Sequence, residues 1–205
     1  MKTSLPIKAE LQRKSIHLMM ALVLIVLYRA TNRPVIIGLF VALAILAGIF
    51  EWLRIRHFTA ALQLQKRFAF LMRPEELESK PKDIHLIGAT WVLWSLAILT
   101  ILYPVKLVTL CYTMFLIADG MAALVGKWIG KHFWPASKKT MEGSLAFFIS
   151  GMITMTIFPD TDLKAAGLAV FFGTISEILV KPFDDNFRVP LIVTTVYFLA
   201  EQFTG

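Results

Sequence analysis

Seven apolar runs, separated by polar segments, make up most of this chain. Several reach about 17–20 residues, the length of helix that crosses the hydrocarbon core of a bilayer. The runs are residues 15–28, 34–53, 84–103, 105–125, 143–158, 163–180 and 189–203. This pattern predicts an all-α, multi-pass transmembrane bundle of about seven spans, with six as the alternative because the first, fifth and last runs are short. No small-residue cleavage site follows the first run, so we interpret it as a retained helix and not as a signal peptide.

Lys and Arg residues fall mostly on alternate connections between these runs. With seven spans and a cytosolic N-terminus, 17 of the 21 Lys and Arg residues lie on the cytosolic side. Cytosolic loops of membrane proteins carry such an excess of positive charge. The distribution therefore predicts an integral protein of the cell (inner) membrane, and it explains the net charge of +7 without nucleic-acid binding. Only 17% of the residues are charged, against about 25% in soluble domains. Cys111 is the only cysteine, so no internal disulfide can form.

The whole chain, residues 1–205, reads as a single membrane domain with two long cytosolic connections. In residues 54–83, aromatic and leucine residues recur among basic residues, which predicts an amphipathic segment lying at the membrane interface. Its end, residues 74–82, is expected to be a solvated loop. The segment is either a surface linker or a gate over the access path of a lipid. The other long connection, residues 127–142, contains the basic hairpin described below.

Two acids, Asp119 and Glu177, interrupt otherwise apolar runs. Ionisable groups inside a membrane are costly and usually functional. The alternatives are that Asp119 pairs with a cytosolic Lys or Arg to stabilise packing, and that Lys181, four residues on, satisfies Glu177. Asp185 and Asn186 follow in a predicted cytosolic loop, where they could instead cap a turn. The predicted topology places all these polar residues at the cytosolic face.

Small residues continue the helical face next to Asp119 at intervals of four, and a basic hairpin follows them. The small residues are Ala118, Ala122, Gly126 and Gly130. Such rows mean close helix packing in lipid or a bare backbone that phosphates can approach. In the sequence Lys138-Lys139-Thr140-Met141-Glu142-Gly143, the two lysines would neutralise phosphate charge and the Thr hydroxyl would donate to a phosphate oxygen. Mg²⁺ needs one or two carboxylates besides substrate phosphates, so Asp119 with Glu142 or Asp185 would suffice.

At the N-terminus, Glu10, Arg13, Lys14 and His17 share one helical face. A positively charged anchor explains Arg13 and Lys14 but not the other two residues. His17 is either a surface residue at the start of a helix or part of the site.

Taken in order, these motifs resemble the family of CTP-dependent lipid kinases that contains dolichol kinase, phytol kinase and CTP-dependent diacylglycerol kinases. The matching pieces are Glu10-x-x-Arg13-Lys14-x-x-His17, Glu51-x-x-Arg54, Gly88-Ala89-Thr90, Asp119-Gly-x-Ala-Ala-x-x-Gly126, Lys138-Lys139-Thr140-x-Glu142-Gly143, and Glu177 with Asp185-Asn186 and Pro190. The resemblance implies phosphoryl transfer from CTP to the hydroxyl of a membrane lipid alcohol, with Mg²⁺ or another divalent cation. The acceptor (polyprenol, phytol-like or diacylglycerol) stays open.

The resemblance and the residue chemistry together give an expected set of site residues. The expected catalytic residues are Asp119, Lys139, Glu142 and His17. The expected nucleotide-binding residues are Ala122, Ala123, Gly126, Lys138, Lys139, Thr140, Gly143, Arg13 and Lys14. The expected metal ligands are Asp119, Glu142, Glu177, Asp185 and Asn186.

Two other functions are open from the sequence. A cytidylyltransferase could use the same cations and metal, but the chain lacks the Asp-Arg-x-Asp type of ending expected of phosphatidate cytidylyltransferases. A small lipid or ion transporter would need polar groups towards both membrane faces, whereas the predicted outer half carries few outside its loops.

Overall fold

The structure is a computed structural model that describes residues 7–77, 85–135, 137, 139–179 and 183–204. Within these residues it is helical with no strands, which confirms the all-α prediction. The elements are α1 (Ile7–Ala30), α2 (Arg33–Ile55), α3 (Thr59–Arg67), a 3₁₀ turn (Ala69–Leu71), α4 (Pro74–Leu77), α5 (Gly88–Leu102), α6 (Val105–Trp128), α7 (Met141–Ile157), α8 (Leu163–Ile178) and α9 (Asp185–Thr204).

Each of the seven apolar runs lies largely or wholly in a helix of its own. Among the described residues, three helices are long and apolar enough to cross a membrane, namely α1 from Leu11, α2 and α6. Two further apolar helices, α5 and α7, are shorter. The structure therefore supports a membrane protein, while the count of seven spans and the orientation remain predictions.

Helix α6 forms the centre of the bundle. In its most apolar stretch 72% of the residues are buried, against 17% in α1 and in α2. It packs against α1, α7 and α9, while α2 packs on α5 and α8 packs on α9. Leu18, Leu22 and Ile45 are among the many apolar side chains of α1 and α2 that lie on the surface. Helices that expose this much apolar surface suit a lipid environment.

The row of small residues lets α6 and α7 approach each other closely. A Cβ atom at Gly143 would lie 2.9 Å from the carbonyl oxygen of Ala122 and 3.4 Å from the Cα of Gly126. At Gly126 a Cβ would lie 2.8 Å from the Thr140 hydroxyl oxygen. That hydroxyl caps α7 by accepting a hydrogen bond from the Gly143 amide at 3.1 Å. Ala122, Gly126 and Gly143 therefore serve helix packing, as small residues do in membrane bundles.

Pro190 lies inside α9 and makes possible a hydrogen bond between this helix and α5. Proline has no amide hydrogen, so the carbonyl of Asn186, four residues earlier, loses its helical partner. The Ser95 hydroxyl donates to that carbonyl instead, at 3.1 Å. The proline thus leaves a free carbonyl acceptor on α9, and the Ser95 hydroxyl of α5 satisfies it. This hydrogen bond holds the start of α9 against α5.

Three boundaries differ from the prediction. Helix α2 continues to Ile55, so Arg54 is a buried helical residue and not part of a cytosolic loop. Helix α5 begins at Gly88, after an extended segment, and not at residue 84. Residues 74–77 form a helical turn in which Glu76 is buried, so the prediction of a solvated loop is wrong there. Residues 78–84 lie outside the described part.

Candidate functional site

Asp119 lies towards the end of the bundle that contains the first turns of α1, α7 and α9 and the last turn of α8. It is buried, and its carboxylate pairs with the ammonium group of Lys14, which is buried too. The Nδ1 atom of His17 lies 3.3 Å from the same carboxylate oxygen. Lys14 and His17 are three residues apart and therefore share one face of α1. The structure thus brings together three of the predicted residues from two distant parts of the chain.

Lys139 connects two further acids of the predicted set. Its ammonium group lies 2.5 Å from Glu177 Oε1 and 3.0 Å from Asp185 Oδ2. Burial alone would lower the pKa of Lys139, but the carboxylates of Asp185, Glu177 and Asp119 outweigh burial and raise this pKa. The ammonium group is therefore charged at neutral pH. Its side chain is 33% exposed, so it can be reached from outside the protein.

Arg73 is a cation of the site that the sequence prediction missed. Its guanidinium group donates to Asp184 at 2.9 Å and lies 3.4 Å from Asp185. Burial opposes its charge, but Asp185, Asp184, Glu76 and Asp119 together raise the pKa of Arg73. In the sequence Arg73 looks like one of many positive-inside residues, and nothing in its spacing connects it with residues 184 and 185. Only the tertiary fold identifies it.

Asp184 is the second residue that the expected site set lacks, and it lies immediately before α9. Its carboxylate accepts hydrogen bonds from the amide and the side chain of Asn186, at 3.0 and 2.7 Å. Burial and the neighbouring charge of Asp185 raise the pKa of Asp184 to about 6, against the opposite effect of Arg73. Asp184 is thus the capping residue, a role that the sequence analysis considered for Asp185 and Asn186.

The acids and cations of this cluster pair with one another. Four carboxylates (Asp119, Glu177, Asp184 and Asp185) form these ion pairs with three cations (Lys14, Arg73 and Lys139). Carboxylate and amide oxygens are the ligands that Mg²⁺ prefers, and it commonly takes one or two of them together with phosphates. No three His, Cys, Asp or Glu residues in the described part form a metal site by themselves. A Mg²⁺ ion bound here would need further ligands from outside these residues, such as phosphate oxygens.

Glu142 contacts the basic loop that precedes α7. Its carboxylate lies 2.7 Å from Nδ1 of His132 and accepts hydrogen bonds from the amides of Lys131 and His132, at 3.1 and 3.3 Å. These bonds hold the basic loop against the first turn of α7. The described contacts of Glu142 are with this loop, and its role as a metal ligand stays a prediction.

The predicted nucleotide-binding residues divide into two groups. Thr140, Gly126, Gly143 and Ala122 pack α6 against α7 beside the cluster, and Ala123 is half-buried on α6. Lys14 belongs to the cluster, Arg13 precedes it on α1, and the charges of these two residues interact. Lys138 falls outside the described residues.

The motifs around Glu51 and Gly88 meet in one buried network that positions Arg73. Glu51 pairs with Arg54 at 2.6 Å and accepts hydrogen bonds from the Ile87 amide and the Thr90 hydroxyl. Glu76 accepts hydrogen bonds from the amides of Arg73 and Gly88, at 3.0 and 3.2 Å. The network therefore fixes the backbone of residue 73 beside the start of α5, which directs the guanidinium group towards α9.

An apolar groove of about 510 Å³ opens beside the charged cluster. Its walls come from α1, α2, α5 and the segment from the end of α3 to the 3₁₀ turn, and they include Leu46, Phe68 and Leu93. Its polar lining consists of five residues, Arg13, His17, Glu76, Thr90 and Asn186. Gly88 also lines it, and a Cβ there would lie 3.3 Å from the Asn186 amide nitrogen.

Comparisons with known proteins identify no relative of this chain. No family model matches it, and no curated protein and no solved structure matches it significantly. The charged cluster and the adjoining groove are therefore the basis for assigning a function.

Proposed function

We propose that this protein is a membrane-embedded kinase that transfers a phosphoryl group from CTP to the hydroxyl of a lipid alcohol. One observation carries the proposal: distant segments place three cations and four acids together beside an apolar groove. Phosphoryl transfer depends mainly on positioning and on neutralising phosphate charge. A cluster of this composition next to lipid-facing surface suits a reaction between a charged nucleotide and an apolar acceptor.

The nucleotide phosphates bind to the exposed side of the cluster. Lys139 is the principal cation for this role, because its side chain is one-third exposed and its present partners are carboxylates. Arg73 and Arg13 add positive charge, and Lys138 belongs to the same hairpin by sequence. The motif resemblance to CTP-dependent lipid kinases supports CTP as the donor.

The acceptor remains in the bilayer and presents its hydroxyl to the cluster. The hydroxyl oxygen forms a bond to the γ-phosphorus, the bond from this phosphorus to the β–γ bridging oxygen breaks, and CDP leaves. The hydroxyl proton moves to the carboxylate of Asp119. Lys14 and His17 orient Asp119. A strongly basic carboxylate is not required, because the transition state is loose.

Mg²⁺ held by Asp185, together with Asp184 or the Asn186 amide oxygen, would neutralise charge on the phosphates. The protein's own contribution is to keep these oxygens close together at the start of α9. The hydrogen bonds within residues 184–186 and the ion pairs of Arg73 with Asp184 and Asp185 hold these oxygens together.

The proposed topology has seven spans, with the N-terminus and the charged cluster on the cytosolic side of the cell membrane. The excess of Lys and Arg on that side supports this orientation. Cytosolic CTP would then reach the cluster directly.

The test uses purified protein in lipid nanodiscs with Mg²⁺, mixed lipid alcohols and CTP labelled at either the α- or the γ-phosphorus. A kinase transfers the γ-label to lipid and releases CDP. Transfer of the α-label with release of pyrophosphate would instead identify a cytidylyltransferase. If neither label enters lipid, the proposal is wrong.

Two variants connect the activity to the cluster. Lys139→Met should lower transfer at least a hundredfold, and Lys139→Arg should retain more activity than Lys139→Met. Lys106→Met is the matched control, because Lys106 is an exposed lysine that pairs with Asp160 outside the cluster. Equal activity in Lys139→Met and Lys106→Met would remove Lys139 from the mechanism.

A further inference from the structure

We propose that the groove binds the hydrocarbon chain of the acceptor and selects alcohols with one chain over diacylglycerols. This inference rests on the proposed kinase function and specifies its substrate class. A single apolar chain would lie along the walls of the groove, with its terminal hydroxyl at the polar residues.

The polar residues of the groove are also residues of the charged cluster or its neighbours. His17 lines the groove and lies 3.3 Å from the Asp119 carboxylate. Asn186 lines it as well and donates to Asp184. A hydroxyl that contacts His17 and Asn186 therefore lies next to the Asp119 carboxylate, which would accept its proton. A small-molecule pocket typically has this form, with apolar walls and a few polar groups that fix orientation.

The volume of the groove suits one chain. The cavity of about 510 Å³ lies within the range of pockets that hold one small apolar ligand, and its elongated walls match a single chain lying along them. One chain of a diacyl lipid would therefore remain outside and lose the contacts that the walls provide.

The wall formed by α3 and the 3₁₀ turn is the side of the groove that we expect to face the membrane surface. Leu64 and Phe68 line the groove, yet both are nearly half exposed. Lys66 and Arg67 lie in the last turn of α3 and are exposed. Basic residues beside exposed apolar side chains favour the interface of an anionic bilayer. This side of the groove is where a chain would enter from the lipid.

The first experiment measures binding without nucleotide, so it does not depend on catalysis. Protein in nanodiscs is labelled with a hexadecanol that carries a photoreactive diazirine near the end of its chain, and labelled peptides are identified by mass spectrometry. The label should fall on groove residues of α2, α3 or α5. Unlabelled alcohols of 16–20 carbons should compete at least tenfold better than diacylglycerol. Labelling elsewhere, or equal competition by diacylglycerol, would overturn the inference.

A matched pair of variants on α2 tests the wall directly. Ala47 lines the groove, whereas Ala42 is exposed on the same helix and does not line it. Ala47→Trp should reduce labelling at least fivefold, and Ala42→Trp should leave it unchanged. Leu46→Trp, at an exposed groove residue, provides a second test if Ala47→Trp does not fold. Equal labelling of the Ala42 and groove variants would contradict the inference.

Measuring phosphoryl transfer as well as chain binding distinguishes failure of this inference from failure of the kinase proposal. Chain binding in the groove without transfer from CTP would support the groove and refute the kinase. Transfer to lipid with the same chain preference in wild type and Ala47→Trp would support the kinase and refute the groove as the chain site.

Discussion

Replacing Asp119 with Asn removes one charge from the most deeply buried ion pair of the cluster. The side chains of Lys14 and Asp119 are only 5% and 8% exposed. In Asp119→Asn the Lys14 ammonium group keeps its burial but loses its anionic partner. Breaking a buried pair in this way costs about 3–5 kcal/mol, because the remaining charge is uncompensated.

The size of this effect can be converted into a measurable shift. A loss of about 4 kcal/mol lowers the ratio of folded to unfolded protein about a thousandfold. For a chain of this size, each kcal/mol shifts the thermal midpoint by about 2–4 °C, so a drop of roughly 8–16 °C is expected. The double variant Lys14→Met/Asp119→Asn contains neither charge. Its stability should return to within about 1–2 kcal/mol of wild type, since an ion pair replaced as a unit is often nearly neutral.

The two variants distinguish a packing role of Asp119 from a chemical role. Thermal unfolding is followed by tryptophan fluorescence in detergent, and phosphoryl transfer is measured well below both midpoints. We expect the double variant to regain stability and to remain inactive. If it regains activity as well, Asp119 only stabilises packing and its place in the mechanism is wrong. If Asp119→Asn has the same thermal midpoint as wild type, the Lys14–Asp119 ion pair does not contribute the expected stability.

Further predictions concern the scaffold around the cluster. Gly143→Ala should cost about 1–3 kcal/mol of stability in thermal unfolding, because its Cβ meets the backbone of α6. Gly38→Ala, with nothing within 4 Å, should instead be neutral or stabilise by up to about 1 kcal/mol. Arg188→Met should cost about 3 kcal/mol by the same measurement, since it leaves three carbonyls of residues 176, 179 and 183 without this donor. Asp184 has a pKa raised to about 6, so its contribution to stability is present below pH 4 and is lost as the pH rises through 6. The stability of Asp184→Asn relative to wild type should therefore increase by up to about 3 kcal/mol between pH 4 and 7, while Asn retains the cap; a constant difference across this range would contradict the pKa assignment.

Much of the fold follows from apolar patterning alone. Runs as long as residues 34–53 and 105–125 predict helices well, because apolar side chains and lipid both favour internally bonded backbone. The start of α5 could not be predicted in this way. Residues 84–87 continue the apolar pattern, yet Ile87 and Gly88 donate their amides to Glu51 and Glu76. These bonds come from distant residues, which periodicity within one segment does not reveal.

The candidate site was partly predictable for a related reason. Asp119 and Glu177 are conspicuous because they interrupt apolar runs, whereas Arg73 lies in a polar segment among other basic residues. The pairing of Glu177 with Lys139 depends on how α7 and α8 pack. Lys181, which the sequence also offered as a partner, lies outside the described residues. Glu142 was expected in the cluster because it is close in sequence to Lys139. In the structure Glu142 lies in the first turn of α7 and contacts His132 of the basic loop.

The way the helices are paired has a consequence for how such a protein could diversify. The ionic residues lie mainly on α1, α6, α8 and α9, whereas the hydrocarbon-facing walls come largely from α2, α3 and α5. Substitutions of the apolar wall residues in the second group, away from Glu51 and Arg54, can reshape the space for a substrate without replacing a residue of the charged cluster. Natural variation in α2 and α3 would then change which alcohols are accepted, while the machinery for phosphate transfer stays the same.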